Sequence, residues 1–97
     1  MNDYEYITIL YDYYSELFND KQKKYFEEYY FDNLSLSEIS ENECVSRNAI
    51  HKSIKSVVSK LYEYEDKLKI YDKEKKIRNI IGKIDDDKIK KQLEELL

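Results

Sequence analysis

LSLSEISENECVSRNAIHKSIK, residues Leu34 to Lys55, holds two helix starts separated by one short turn. Ser35 and Glu38 stand in the S-x-x-E spacing of a capping box. In that box the hydroxyl serves the amide of the third helical residue, and the carboxylate reaches back to the cap amide. Leu34 and Ile39 occupy the two positions of a hydrophobic staple, so a short helix is predicted from Leu36 to about Glu43. Ser46 offers a second N-cap after only Cys44 and Val45. So short a connection prevents the two helices from lying antiparallel, and the pattern is that of a helix-turn-helix. Ile39, Val45 and Ile50 supply its internal core, and Ser40 sits at the crossing, where only a small side chain permits close approach. Cys44 falls where glycine or asparagine relieves strain. It is therefore either an exposed thiol in an awkward backbone conformation or a sign of an irregular turn.

Downstream, Ile50, Ile54, Val57, Leu61, Tyr64, Leu68 and Tyr71 alternate steps of four and three. This two-in-seven seam predicts one long helix with no evident stop before Tyr71. The seam must be buried, either on the first two helices of the same chain or in a subunit interface. Upstream, the apolar spacing from Tyr4 to Phe18 predicts a first helix over about residues 3–18. Asn19 or Asp20 caps a second helix carrying Tyr25, Phe26, Tyr29 and Tyr30, which Asp32 and Asn33 end. At these helical spacings the tyrosines read as core rings. Beyond Tyr71, the isoleucines from Ile77 to Ile84, a break at Gly82 and Asp85–Asp87, and a final set from Ile89 to Leu97 predict two C-terminal helices. Their apolar faces exceed what a three-helix DNA-binding unit needs, which points to self-association or a protein partner.

The chain has 97 residues, no proline and one glycine. That length fits one domain, with the helix-turn-helix at about 35–60 and a helical extension at about 72–97. The scarcity of turn residues excludes most sheet architectures and fixes the class as all-α, without a wing. No apolar run reaches the roughly 20 residues of a bilayer span, and the N-terminus is acidic where a signal peptide is basic, so a cytoplasmic protein without membrane insertion is expected. One cysteine and one histidine leave no closed metal site and imply no cofactor. Catalysis is not expected either, because His51 has no nucleophile or carboxylate placed to work with it.

Charge is more informative in its distribution than in its sum of −4. Residues 1–20 carry five acids and no base, whereas residues 45–61 carry Arg47, Lys52, Lys55 and Lys60 and no acid. With Ile50, Ile54, Val57 and Leu61 turned inward, 100° per residue places Asn48, Lys52, Lys55, Ser56 and Ser59 on the outer face. His51 lies on its flank, and Ser46 and Arg47 at its start. Lysine and arginine neutralise phosphates and donate to guanine, asparagine pairs with adenine, and small serines allow close approach. The candidate nucleic-acid contacts are therefore Ser46, Arg47, Asn48, His51, Lys52, Lys55 and Ser56. Amides at the capped helix starts near Ser35 and Ser46 are further candidates for phosphate.

Leu34 to Lys55, together with the Asp-Lys-Gln start and paired tyrosines of residues 19–30, resembles the YlxM-like proteins. That family is similar to the promoter-reading domain of sigma factors and is encoded beside components of the bacterial signal recognition particle. The resemblance implies a regulatory or accessory protein of that pathway, whose partner is DNA or signal recognition particle RNA. Glu43, Cys44 and Ser40 depart from the usual pattern, which has an apolar residue, glycine or asparagine, and alanine there. A DNA reader of this kind is expected to be a homodimer spanning two half-sites. The competing reading is a protein-interaction module that binds a signal recognition particle protein and keeps the helix-turn-helix as scaffold. The acidic surface, which repels phosphates at long range, motivates that reading.

Overall fold

A computed structural model describes residues 1–97 as six α-helices with no strand. α1 spans Asp3–Tyr14, α2 Asp20–Tyr30, α3 Leu36–Glu43, α4 Arg47–Leu68, α5 Ile70–Ile81 and α6 Asp87–Glu94. Side-chain caps explain most of these starts: Asn2 accepts from the Glu5 amide, Asn19 from Gln22, Ser35 from Glu38, Ser46 from Ala49 and Asp86 from Lys88 and Ile89. Each satisfies an amide that the helix itself leaves unpaired. The boxes at Asn19 and Ser35 are reciprocal, with Gln22 and Glu38 reaching back to the cap amides.

The first helix is shorter than its apolar spacing predicts. It ends at Tyr14 and tightens into a 3-10 turn over Ser15–Leu17, closed by the Phe18 amide on the Ser15 carbonyl at 3.1 Å. The tightening turns Phe18 into the core and leaves Leu17 exposed. One apolar cluster joins Leu10, Tyr11, Tyr14 and Phe18 to Phe26 of α2 and Val57 and Leu61 of α4. Within it the Tyr11 and Phe26 rings stack with centroids 4.1 Å apart. A second cluster, Tyr25, Ile39, Ile50 and Ile54, holds α3 and the start of α4 against α2. The tyrosines do not all become core rings: Tyr11, Tyr14 and Tyr25 are buried, Tyr6, Tyr13, Tyr30, Tyr64 and Tyr71 half-buried, and Tyr4, Tyr29 and Tyr62 exposed.

The seam of α4 is thus buried within the chain from Ile50 to Leu61, but the long helix does not continue through Tyr71. It stops at Leu68, and Lys69 adopts a left-handed conformation at φ 54°. The cause lies one turn back. The buried Glu65 carboxylate accepts from the amides of Tyr71 at 3.1 Å and Asp72 at 3.0 Å, and so caps α5. It also accepts from the Tyr14 hydroxyl at 2.6 Å, and that hydroxyl accepts from the Ile70 amide at 3.2 Å. Burial and then the Glu65 contact push the Tyr14 hydroxyl up to about 12. Three elements therefore meet on one carboxylate, and the chain bends there into an arm formed by α5 and α6.

Candidate nucleic-acid interface

The turn between α3 and α4 is fixed by its own backbone and one hydroxyl. Cys44 takes the left-handed conformation at φ 55°, and its amide donates to the Ser40 carbonyl. The Val45 amide donates to the same carbonyl at 3.3 Å, and the Ser40 hydroxyl donates to the Val45 carbonyl at 2.5 Å. Ser40 does more than keep the crossing small. It binds the far side of the turn, a role that alanine at this place cannot perform. Cys44 is exposed, and of the two readings of this residue the structure shows the awkward backbone within a regular turn.

Ile39 and Ile50, each fully buried, lock α3 to α4, with Val45 half-buried beside them. This packing fixes which face of α4 is free. Ser46, Arg47, Asn48, His51, Lys52, Lys55 and Ser56 are all exposed, as are Ser59 and Lys60. From Asn48 to Ser59 the face extends about 16 Å at 1.5 Å per residue. Lys52 and Lys55 on this face, and Arg47 and Lys60 at its two ends, are unpaired: the ion pairs of the chain use Lys23, Lys24, Lys67, Lys76 and Arg78 instead. The first turn of α4 carries no acid, so the positive end of the helix dipole is not neutralised locally.

The start of α3 differs. There the Glu38 carboxylate accepts from the Ser35 amide at 3.0 Å, and this bond holds Glu38 below the usual carboxylate range. That reciprocal box pairs the Ser35 and Glu38 amides within the chain and places an acid in the first turn of α3, unlike α4.

Sequence periodicity gave no sign of one neighbour of this face. His51 and Lys55 line a shallow groove of about 290 Å³ with Tyr29, Tyr30, Leu36, Ile54 and Val58. Tyr29 meets the Tyr30 ring nearly edge-on at 5.2 Å. A ring in this groove was readable only as a core residue from its spacing, because period alone does not tell which rings a third helix leaves uncovered.

Behind the face, α2 and α3 carry an acidic cluster. Lys24 pairs with Glu43 at 3.1 Å, and one carboxylate oxygen of Glu28 is buried without a partner. Burial, and then the Glu43 charge, hold the Glu28 carboxyl above its ordinary value. Glu43 therefore has a partner on α2, which accounts for a charged residue where an apolar one is usual. No helix is long and apolar enough to cross a membrane.

Comparison with known proteins agrees with this geometry. A family model described as "UPF0122: Putative helix-turn-helix protein, YlxM / p13 like" matches residues 1–97. A UPF0122 protein of Fusobacterium nucleatum is 42% identical over 97 residues, covering 100% of this chain and 94% of the relative. A UPF0122 protein of Thermoanaerobacter sp. is 39% identical over 96% of this chain and 75% of its own length. One from Malacoplasma penetrans is 42% identical over 94% of this chain and 85% of its own. An all-helical fold and a helix-turn-helix family point away from an enzyme. The chain belongs to the UPF0122 family of YlxM/p13-like helix-turn-helix proteins.

Proposed function

We propose that this protein is a nucleic-acid-binding regulatory or accessory factor whose contacts are Ser46, Arg47, Asn48, His51, Lys52, Lys55 and Ser56. The observation that carries the reading is the free side of α4: Lys52 and Lys55 on its outer face, with Arg47 and Lys60 at either end, are exposed and have no acidic partner, on a helix oriented by the turn. The proposal favours duplex DNA. A helix of this diameter enters the roughly 12 Å major groove of B-form DNA, whereas the major groove of A-form RNA is too deep and narrow for it. Arg47 and Asn48 in the first turn are the base readers, and Lys52 and Lys55 neutralise phosphate. Two copies acting together would set two such helices one DNA turn, about 34 Å, apart. Residues 1–97 act as one domain in this reading. Its cellular setting, in the cytoplasm beside the signal recognition particle, is proposed from the family resemblance.

Fluorescence anisotropy against an AT-rich duplex and against signal recognition particle RNA, each over a salt series, tests the proposal. Binding to the duplex that weakens with salt and vanishes in the Lys52→Glu/Lys55→Glu variant is the expected result. Preference for the RNA would replace the DNA assignment. Binding unchanged by the double substitution would refute the site.

A second reading has one observation in its favour. Residues 1–44 carry eleven acids against three bases, and a body so charged repels phosphate and suits a basic protein surface. It treats the protein as an interaction module for a signal recognition particle component. Absence of nucleic-acid binding at low salt, with capture of that particle's protein, would favour it.

A further inference from the structure

Four of the five grooves on the surface have a carboxylate in their lining: Glu74 in one, Asp66 and Asp72 in another, Glu43 in a third and Glu38 in a fourth. In a chain with 21 acids, the groove without one is the groove that borders the outer face of α4. Its floor and rim differ in chemistry. Tyr30, Leu36, Ile54 and Val58 are buried or half-buried and make an apolar floor, while Tyr29 of α2 and His51 and Lys55 of α4 are exposed and form the rim.

Tyr29 has no task inside the fold. It belongs to neither core cluster, and the tyrosine hydroxyls that donate hydrogen bonds are those of Tyr4, Tyr11, Tyr13 and Tyr14. Its one ring neighbour is Tyr30, met at 75°. Tyr30, by contrast, is held by Phe26 at 4.5 Å and Tyr4 at 5.6 Å. A near-perpendicular neighbour covers at most one face of a ring, and Tyr29 is 39% exposed. An aromatic face therefore stands open beside two nitrogen-bearing side chains.

We propose that this groove seats one unpaired base of the bound nucleic acid, stacked on Tyr29, with the flanking phosphates on Lys55 and Lys52. The proposal rests on the nucleic-acid reading and narrows its ligand to a duplex that carries an unpaired base beside the segment α4 contacts. Charge selects a polyanion, because the rim has a cation and the lining no acid. Continuity selects the same polyanion that α4 binds: Lys55 belongs to both groove and outer face, and residues 45–61 place no acid between them. Size selects a single ring system. At about 290 Å³ the groove lies at the lower end of small-ligand sites, roughly 300–1,000 Å³, too small for a helix or strand. His51 can both donate to and accept from the edge of the base.

Fluorescence anisotropy of the full chain tests the seat at fixed salt, with two AT-rich duplexes that differ only in a single unpaired thymine. The unpaired base should strengthen binding by roughly 5- to 150-fold, the range that base–aromatic stacking spans. Tyr29→Ala should bring the two duplexes to one affinity, and Tyr29→Phe, which keeps the ring, should retain the preference. Iodouracil at the unpaired position should crosslink to Tyr29 of the wild type on irradiation, as mapped by mass spectrometry. Equal affinity of the wild type for both duplexes, or a crosslink mapped outside the groove, would overturn the seat and leave the α4 contacts standing. Binding of neither duplex would overturn the nucleic-acid reading together with the seat. A Tyr29-dependent affinity for polyglutamate in place of DNA would overturn both and assign the groove to an acidic protein segment.

Discussion

Replacing Glu65 with alanine removes the one acceptor on which α1, α4 and α5 converge. Two backbone amides and the Tyr14 hydroxyl lose their partner. Hydrogen bonds to a charged group contribute about 1.5–3 kcal/mol each, but water can reach part of the exposed start of α5, so the two amides recover some of the loss. The Tyr14 ring is buried, and its hydroxyl recovers little. Breaking a buried network by removing its charged centre costs about 3–5 kcal/mol. A chain of this size has roughly 5–15 kcal/mol of stability in total. At about 4–8 °C per kcal/mol, thermal unfolding by circular dichroism should move down by more than ~12 °C. Glu65→Gln keeps volume and one acceptor, so it should fall between wild type and alanine. Tryptic cleavage at Lys67 and Lys69 should accelerate in Glu65→Ala as the elbow opens. A Tm within about 4 °C of wild type, about 1 kcal/mol, would refute the view that this carboxylate organises the elbow.

Two further substitutions test the turn and the acidic cluster behind it. Cys44→Gly removes the steric cost of a left-handed residue with a Cβ and should raise unfolding stability by about 0.5–1 kcal/mol in urea titrations; a loss would mean that the side chain is needed there. Glu28→Gln should raise the Tm at pH 7, because the native state holds that carboxyl above its ordinary value. A raised native value stabilises the fold below the unfolded-state value and withdraws that stability as pH rises through the native one. The advantage of Glu28→Gln should accordingly disappear near pH 4, and a benefit independent of pH would rule out this cause.

Much of the architecture is written locally. The capping boxes, the staple, the two-residue gap before Ser46 and the period of Ile50 to Leu61 are short-range facts, each set by side chains within about one turn of the backbone they serve. They determine the all-α class, the helix-turn-helix and the free face of α4, because burying Ile50 and Ile54 leaves Lys52 and Lys55 only one side to occupy. The tertiary structure decided what depends on distant neighbours. The seam looks continuous through Tyr71 because periodicity registers only apolar spacing, and the break at Lys69 is set by Glu65 receiving Tyr14 from 51 residues away. Spacing placed both Leu17 and Phe18 on the apolar face, but the tightened turn buries Phe18 and leaves Leu17 exposed. Likewise Tyr29 and Tyr25 share one apolar pattern, yet only the helices packed above them leave the first exposed beside His51 and bury the second. A hydrophobic period fixes that a face must be covered; which partner covers it, within the chain or across two copies, is settled by the packing of elements far apart in sequence.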